Sequence, residues 1–221
     1  MQVHHFPVTK TVRYVTLGQL GHQTRHVWFV CHGYGQLAAP FIESFHPLDD
    51  GYTYIVAPEA LSRFYTKRME GRVGATWMTK EDRQTDIADY VRYLDQLYDE
   101  VFTRIPRNQV KVHLLGFSQG AATVSRWIAE GAVTLDSWIL WGGLFPHDLN
   151  FSVNPEKLKG ASTFLVYGDN DPFRDEEQLK ERHQVVAEAG LNYQQVTFQG
   201  GHEIPEPALC SLIDQYPGIF R

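Results

Sequence analysis

Three short stretches of the chain carry residues able to do chemistry together. "GFSQG" (116–120) sets Ser118 between two glycines, "LVYGDNDPF" (165–173) supplies Asp169 and Asp171, and "VTFQGGHEIP" (196–205) supplies His202. A serine hydroxyl is a weak nucleophile at neutral pH, so it needs a base, and the base needs a partner that fixes its tautomer. A serine, a carboxylate and a histidine, in that chain order, are the parts for covalent attack on a carbonyl. Both acids follow an apolar run. Asp169, directly after Gly168, suits a turn-forming role, whereas Asp171 lies further out on the loop and can reach a histidine; Asp171 is the stronger candidate.

Such side chains work only if the backbone brings them to one place. Residues 11–18 alternate like a half-exposed strand, whereas 26–33, 52–59, 110–116, 137–143, 162–169 and 193–200 read as buried strands, most of them ending in glycine or proline. Between them, residues 80–105 place Ile87, Val91, Leu94, Leu97, Val101 and Ile105 at three- and four-residue spacings, which predicts a helix with one buried face. Further helices are expected over 119–130, 175–189 and 203–214. Strands separated by helical crossovers predict an α/β fold: a mostly parallel central sheet with helices on both faces and working loops at the carboxyl ends of the strands. Ser118, Asp171 and His202 all follow such ends. At Ser118 a strand must pass straight into a helix, and flanking glycines leave room for that reversal. The helix N-terminus then faces the hydroxyl, so the Gln119 N–H can receive an oxyanion.

The stretch "HGYGQLAAPF" (32–41) admits two readings. Its Gly33, Gly35 and Ala38 match a dinucleotide fingerprint after an apolar strand, with Glu59 near the end of the next. Pro40 interrupts the helix that should begin there, and Glu59 follows Pro58 in a loop-like context. The alternative is a loop that brings the Tyr34 N–H beside that of Gln119, making a two-donor oxyanion hole; this is preferred, and no cofactor is expected.

Composition narrows the function classes. At 221 residues and 43% hydrophobic content, the chain can bury roughly 70% of its unfolded surface, enough for a single domain spanning 1–221. The formal net charge of −6 is spread among interspersed charges, which argues against nucleic acid as a partner. Cys31 and Cys210 make no disulfide framework, and no histidines share a metal spacing with acids, so no metal is expected. Without a secretory leader or an apolar run of about 18 residues, the expectation is a cytoplasmic protein with no stable membrane insertion. Its oligomeric state is not readable from sequence.

The succession "HGYGQ", "GATWM", "GFSQGAA", "WGGLFP", "GDNDPF" and "GGHEIP", over roughly residues 25–215, resembles the phospholipase/carboxylesterase family of α/β-hydrolases, which includes the acyl-protein thioesterases. The resemblance implies the α/β-hydrolase fold and a serine hydrolase acting on a small-molecule ester or thioester. It also implies Ser118 as nucleophile, Asp171 as orienter, His202 as general base and acid, and Tyr34 and Gln119 N–H groups as oxyanion donors. The chain departs from the family at Tyr34 and Gln36, where leucine and aspartate are usual, and at Phe173 and Arg174, where a valine pair is usual. Leu37, Phe41, Trp77, Met78, Leu144, Phe145, Phe173 and Ile204 fall in loops near the predicted strand ends and are candidates to hold an apolar acyl group. Residues 61–83 are a candidate partial lid or surface loop. A non-catalytic binding protein on the same fold, or an acyltransferase or peptidase using the same triad, are the competing classes.

Overall fold

The computed structural model describes residues 1–67, 70–149, 160–175, 177, 179–181 and 192–221. Its frame is a seven-stranded sheet built from β1 (Tyr14–Leu17), β2 (His26–Cys31), β3 (Thr53–Pro58), β6 (Lys111–Phe117), β7 (Ser137–Trp141), β8 (Ser162–Gly168) and β9 (Tyr193–Phe198). The spatial order is β1-β3-β2-β6-β7-β8-β9; β1 runs antiparallel to β3 and every other neighbour pair is parallel. All seven lie within stretches expected to form strands, but β9, expected to be buried, is partly exposed along its length because it forms a sheet edge.

Alternation along each strand divides the core into two layers. Val27, Phe29 and Cys31 of β2, with Val112 and Leu114 of β6, face α2 (Arg83–Phe102) and α3 (Gln119–Glu130). Trp28 and Val30, with Leu115 and Phe117, face α1 (Ala38–Ile42), α4 (Glu206–Gln215) and α5 (Pro217–Phe220). Because both faces are covered, β2 and β3 are buried at every position, which is why they read as unbroken apolar runs rather than alternating ones. All five tryptophans belong to these layers: Trp28 is 1% exposed, Trp77 2%, and Trp127, Trp138 and Trp141 0%.

Several expectations change in detail. The helix expected over 80–105 is shorter at both ends, and the last long helix begins at Glu206 rather than 203. A helix does begin beside Pro40, contrary to expectation. Pro40 lies in the first turn of the five-residue α1, where a missing N–H interrupts no intrahelical bond. The helix expected over 175–189 lies largely outside the described residues. Within 61–83, β4 (Ser62–Tyr65) and β5 (Val73–Thr76) pair with each other as a separate antiparallel sheet. Period-two alternation over four residues is too short a signal to separate such strands from a loop.

The sheet also fixes where a site can form. From β2 the chain crosses to β3 on one side, whereas β6 and its successors build outward on the other. The loops leaving β2 and β6 therefore part at this reversal and leave a crevice at the carboxyl ends of the strands. Among the described residues, no helix is long and apolar enough to cross a membrane.

Candidate active site

Ser118 occupies the step between β6 and α3 with φ 55° and ψ −115°, a backbone region that side-chain-bearing residues avoid. Among the described residues, only Asp82 shares a positive φ without being glycine. Two close approaches hold the turn in place. A Cβ on Gly116 would sit 2.2 Å from the Gly120 carbonyl oxygen, and one on Gly120 would sit 2.1 Å from that of Cys31. The flanking glycines thus let α3 press onto its own strand and onto the end of β2. The Ser118 N–H continues the sheet ladder to the Trp141 carbonyl at 2.9 Å, so the strained residue is anchored on its strand side.

His202 follows β9, and its Nδ1 lies 2.7 Å from Asp171 Oδ2 on the loop after β8. The buried Asp171 carboxylate accepts the Nδ1 proton, which leaves Nε2 as the lone-pair nitrogen. Its second oxygen accepts the Phe173 N–H at 2.9 Å, so both oxygens are engaged. The neighbouring Asp169 does something else: its Oδ1 accepts the Gly200 N–H at 3.0 Å and ties the β8 loop to the β9 loop. The imidazole is held between aromatic rings, with Phe117 at 4.8 Å and Phe173 edge-on at 4.7 Å. Beneath it runs Gly142, at φ +58°, where a Cβ would stand 3.1 Å from His202 Cε1 and Nδ1. The next residue, Gly143, passes so close to the nucleophile that a Cβ would lie 2.7 Å from the Ser118 carbonyl oxygen. Ser118 and His202 are thereby brought to the same Gly142–Gly143 corner, next to the Phe117 ring.

Two main-chain N–H groups in the loops that meet here have no acceptor among the described residues. Gln119 is the first residue of α3, so its N–H has no acceptor within the helix. In the loop after β2, Gly33 N–H donates to Gln36 Oε1 at 2.7 Å, Gly35 N–H to the Ala75 carbonyl at 2.9 Å, and Gln36 N–H to the Gly33 carbonyl at 3.2 Å. Among the described residues, no acceptor faces the intervening Tyr34 N–H. The loop lies against the serine: a Cβ on Gly33 would be 3.2 Å from Ser118 Cβ. His32 braces it from below. Its Nε2 accepts the Ala60 N–H at 3.1 Å, so the proton sits on Nδ1 and is shared with the Gly33 carbonyl at 2.8 Å. Burial holds the His32 pKa below the ordinary histidine value, favouring this neutral form. The dinucleotide alternative loses its acidic partner, because the Glu59 carboxylate is buried and bound by both Arg13 Nε (2.6 Å) and Nη2 (2.9 Å).

The eight candidate acyl-binding positions separate. Leu144 and Phe173 line a recess beside Asp171, together with Gly142, Gly143, Tyr167, Arg174, Asp175 and Leu179. Phe41, Trp77 and Phe145 are 4%, 2% and 2% exposed and pack in the two core layers, where large apolar side chains find most of their contacts. Leu37 and Met78 pack against the α2–α3 layer, and Ile204 against the opposite one. The place of Gly142 beneath the imidazole was missed in the sequence. "GATWM" and "WGGLFP" stand out there as motifs, but nothing local says what each residue touches.

A mostly parallel sheet with a serine at its strand-to-helix turn and a histidine–carboxylate pair at the next strand ends defines an α/β hydrolase. The Phospholipase/Carboxylesterase family profile matches residues 19–215, and the chain belongs to that hydrolase family. A search of curated proteins gave no match. Solved structures share the fold at low identity. A carboxylesterase from Mesorhizobium loti superposes with a TM-score of 0.72 at 18% identity, covering 94% of this chain and 95% of that one. Zea mays acyl-protein thioesterase 2 gives 0.70 at 14% identity, covering 95% and 99%. A phospholipase/carboxylesterase from Dyadobacter fermentans gives 0.68 at 20% identity, covering 95% and 97%.

Proposed function

We propose that this hydrolase cleaves carboxylic esters or thioesters through an acyl-serine intermediate. Ser118 adds to the substrate carbonyl while His202 Nε2 takes its proton, and Asp171 stabilises the resulting imidazolium. The Tyr34 and Gln119 N–H groups receive the oxyanion. As the tetrahedral adduct collapses, His202 returns the proton to the departing alcohol or thiol; water then repeats the sequence and frees the acid. The observation that carries this reading is the strained Ser118 backbone, held by glycine contacts at the same corner as the 2.7 Å His202–Asp171 pair. Strain of this kind persists only where surrounding structure enforces it, and here it holds a half-buried serine at the carboxyl end of its strand.

Leu144 and Phe173, the latter 74% exposed, offer apolar surface beside Asp171 for an acyl group, although the recess they line, about 20 Å³, is too small to enclose one. The protein works as a cytoplasmic enzyme on small-molecule substrates, in keeping with its free cysteines, one of them buried. A serine-directed fluorophosphonate tests the assignment. Native protein is expected to take one label and Ser118→Ala none; an unlabelled native protein, or equal labelling of the variant, overturns it. A series of p-nitrophenyl esters of increasing acyl length then ranks substrates on the unlabelled native enzyme.

A further inference from the structure

Oxyanion stabilisation depends on two N–H groups aimed at one point, and here they belong to loops from different strands. Beyond the direct approach of Gly33 to Ser118, the hydrogen bonds that join those loops run through residues that lie in neither of them. They are Gly74–Met78, the end of β5 and the turn after it. Ala75 exchanges two main-chain hydrogen bonds with the β2 loop: Gly35 N–H to its carbonyl at 2.9 Å, and its own N–H to the Gln36 carbonyl at 3.0 Å. Both bonds lie immediately C-terminal to the unpaired Tyr34 N–H. Gly74 permits the approach, since a Cβ there would lie 2.4 Å from the Gly35 carbonyl oxygen. The Trp77 indole N–H adds a bond to the His32 carbonyl at 2.9 Å.

The same segment grips the other loop through a side chain. Gln119 Oε1 accepts the Trp77 N–H at 3.1 Å, while Nε2 donates to the Met78 carbonyl at 2.9 Å and to Thr76 Oγ1 at 3.0 Å. The Thr76 hydroxyl donates to the Met78 carbonyl at 2.8 Å, closing the network. Thr76 and Trp77 are 4% and 2% exposed, so water does not compete for these bonds. Yet the β4–β5 hairpin pairs with no strand of the main sheet. Its end is attached to the two donor loops instead.

We propose that Gly74–Met78 is a brace that sets the spacing of the two oxyanion donors, with Thr76 as a positioning residue and Gln119 acting twice. The main-chain N–H of Gln119 meets the developing charge; its carboxamide locks that N–H to the β2 loop through the brace. The inference rests on the serine-hydrolase reading above. It makes residues 74–78 part of the catalytic scaffold rather than of a cover that opens for substrate.

The test uses the full chain, p-nitrophenyl ester kinetics and a trifluoromethyl ketone, whose adduct with Ser118 places an oxyanion between the donors. Thr76→Val and Gln119→Met are each expected to lower kcat on the order of tenfold, with KM within about twofold of native. Inhibition by the ketone weakens by the same factor as kcat. Thr76→Ser, which keeps the hydroxyl, is expected to recover near-native kcat and inhibition. Should Gln119→Met fail to fold, the Thr76 pair gives the answer alone. Native kcat and ketone inhibition in Thr76→Val overturn the brace. So does a rise in KM at constant kcat, which assigns the segment to substrate contact, and so does an equal loss in Thr76→Ser. An unlabelled Ser118 in native protein removes the hydrolase reading and the brace together; labelled native protein with unaffected variants removes the brace alone.

Discussion

Asp171 and Asp169 stand two residues apart on one loop and do different work, which makes them a sensitive pair at the scale of single residues. Asp171→Asn turns an acceptor facing His202 Nδ1 into a group that can donate, and the wrong tautomer then leaves no lone pair for Ser118. Its kcat is expected to fall on the order of 10³–10⁴-fold, with thermal stability little changed. Asp169→Asn keeps an oxygen for the Gly200 N–H; its kcat is expected to stay within about tenfold of native, since a neutral acceptor still ties the loops. Steady-state kinetics with one ester separates the two, and equal losses would contradict the assignment. The distinction was legible in the sequence because Gly168 marks the strand end and loop position limits reach. The acyl-binding positions were not legible. Trp77 and Phe145 follow strand ends just as Leu144 and Phe173 do, but sequence position does not say which way a side chain turns, and the α2–α3 core layer claimed the former pair.

At the scale of elements, the strand–turn–helix around Ser118 depends on space that only glycine leaves. Gly116→Ala puts a methyl 2.2 Å from both the Gly120 carbonyl oxygen and Val124 Cγ2, so α3 must shift off its strand. The variant is expected to lose about 1–3 kcal/mol or more of stability, seen as a Tm lower by roughly 5 °C, and its ester turnover should fall with it. Gly21→Ala is the control, since a Cβ there meets nothing within 4 Å; its Tm should stay within about 1 °C of native. The five inner sheet strands were readable because burial on two faces writes itself as apolar runs, whereas the edge strands β1 and β9 are partly exposed along their length. The β4–β5 hairpin was hidden because its strands are only four residues long, because β4 is mostly exposed and carries Arg63, and because its attachment to Gly35, Gln36 and Gln119 is long-range. Such contacts leave no periodic trace.

The whole molecule has a chemistry at the other end of its sheet as well. Near the amino ends of β2 and β6, His26 Nδ1 lies 2.9 Å from His113 Nε2, and His113 Nδ1 lies 2.7 Å from Ser137 Oγ. Two imidazoles in such contact can share one proton but not carry a full set. Burial lowers the pKa of both, most strongly at His113, with Lys111 and Arg107 opposing protonation there and Asp136 favouring it; Asp50 favours it at His26. His32 is shifted the same way by burial. A histidine whose folded pKa lies below its unfolded value of about 6.5 is neutral in both states at higher pH, so nothing is lost there. Below that value the unfolded chain takes up protons that the folded one refuses. Each such group then removes up to about 1.4 kcal/mol per pH unit. Tm is accordingly expected to be flat from pH 8 to 7 and to fall progressively from about pH 6.5 to 5. Differential scanning calorimetry across that range checks it, and a Tm constant down to pH 5 would contradict the buried neutral pair. The tryptophans offer an optical handle on the same transition. With all five sealed from solvent, native emission should be blue-shifted and indifferent to acrylamide. Since Trp77 sits in the brace and Trp141 donates to the Glu203 carbonyl beside His202, the first quenchable indoles would report which part of the catalytic end loosens before the sheet gives way.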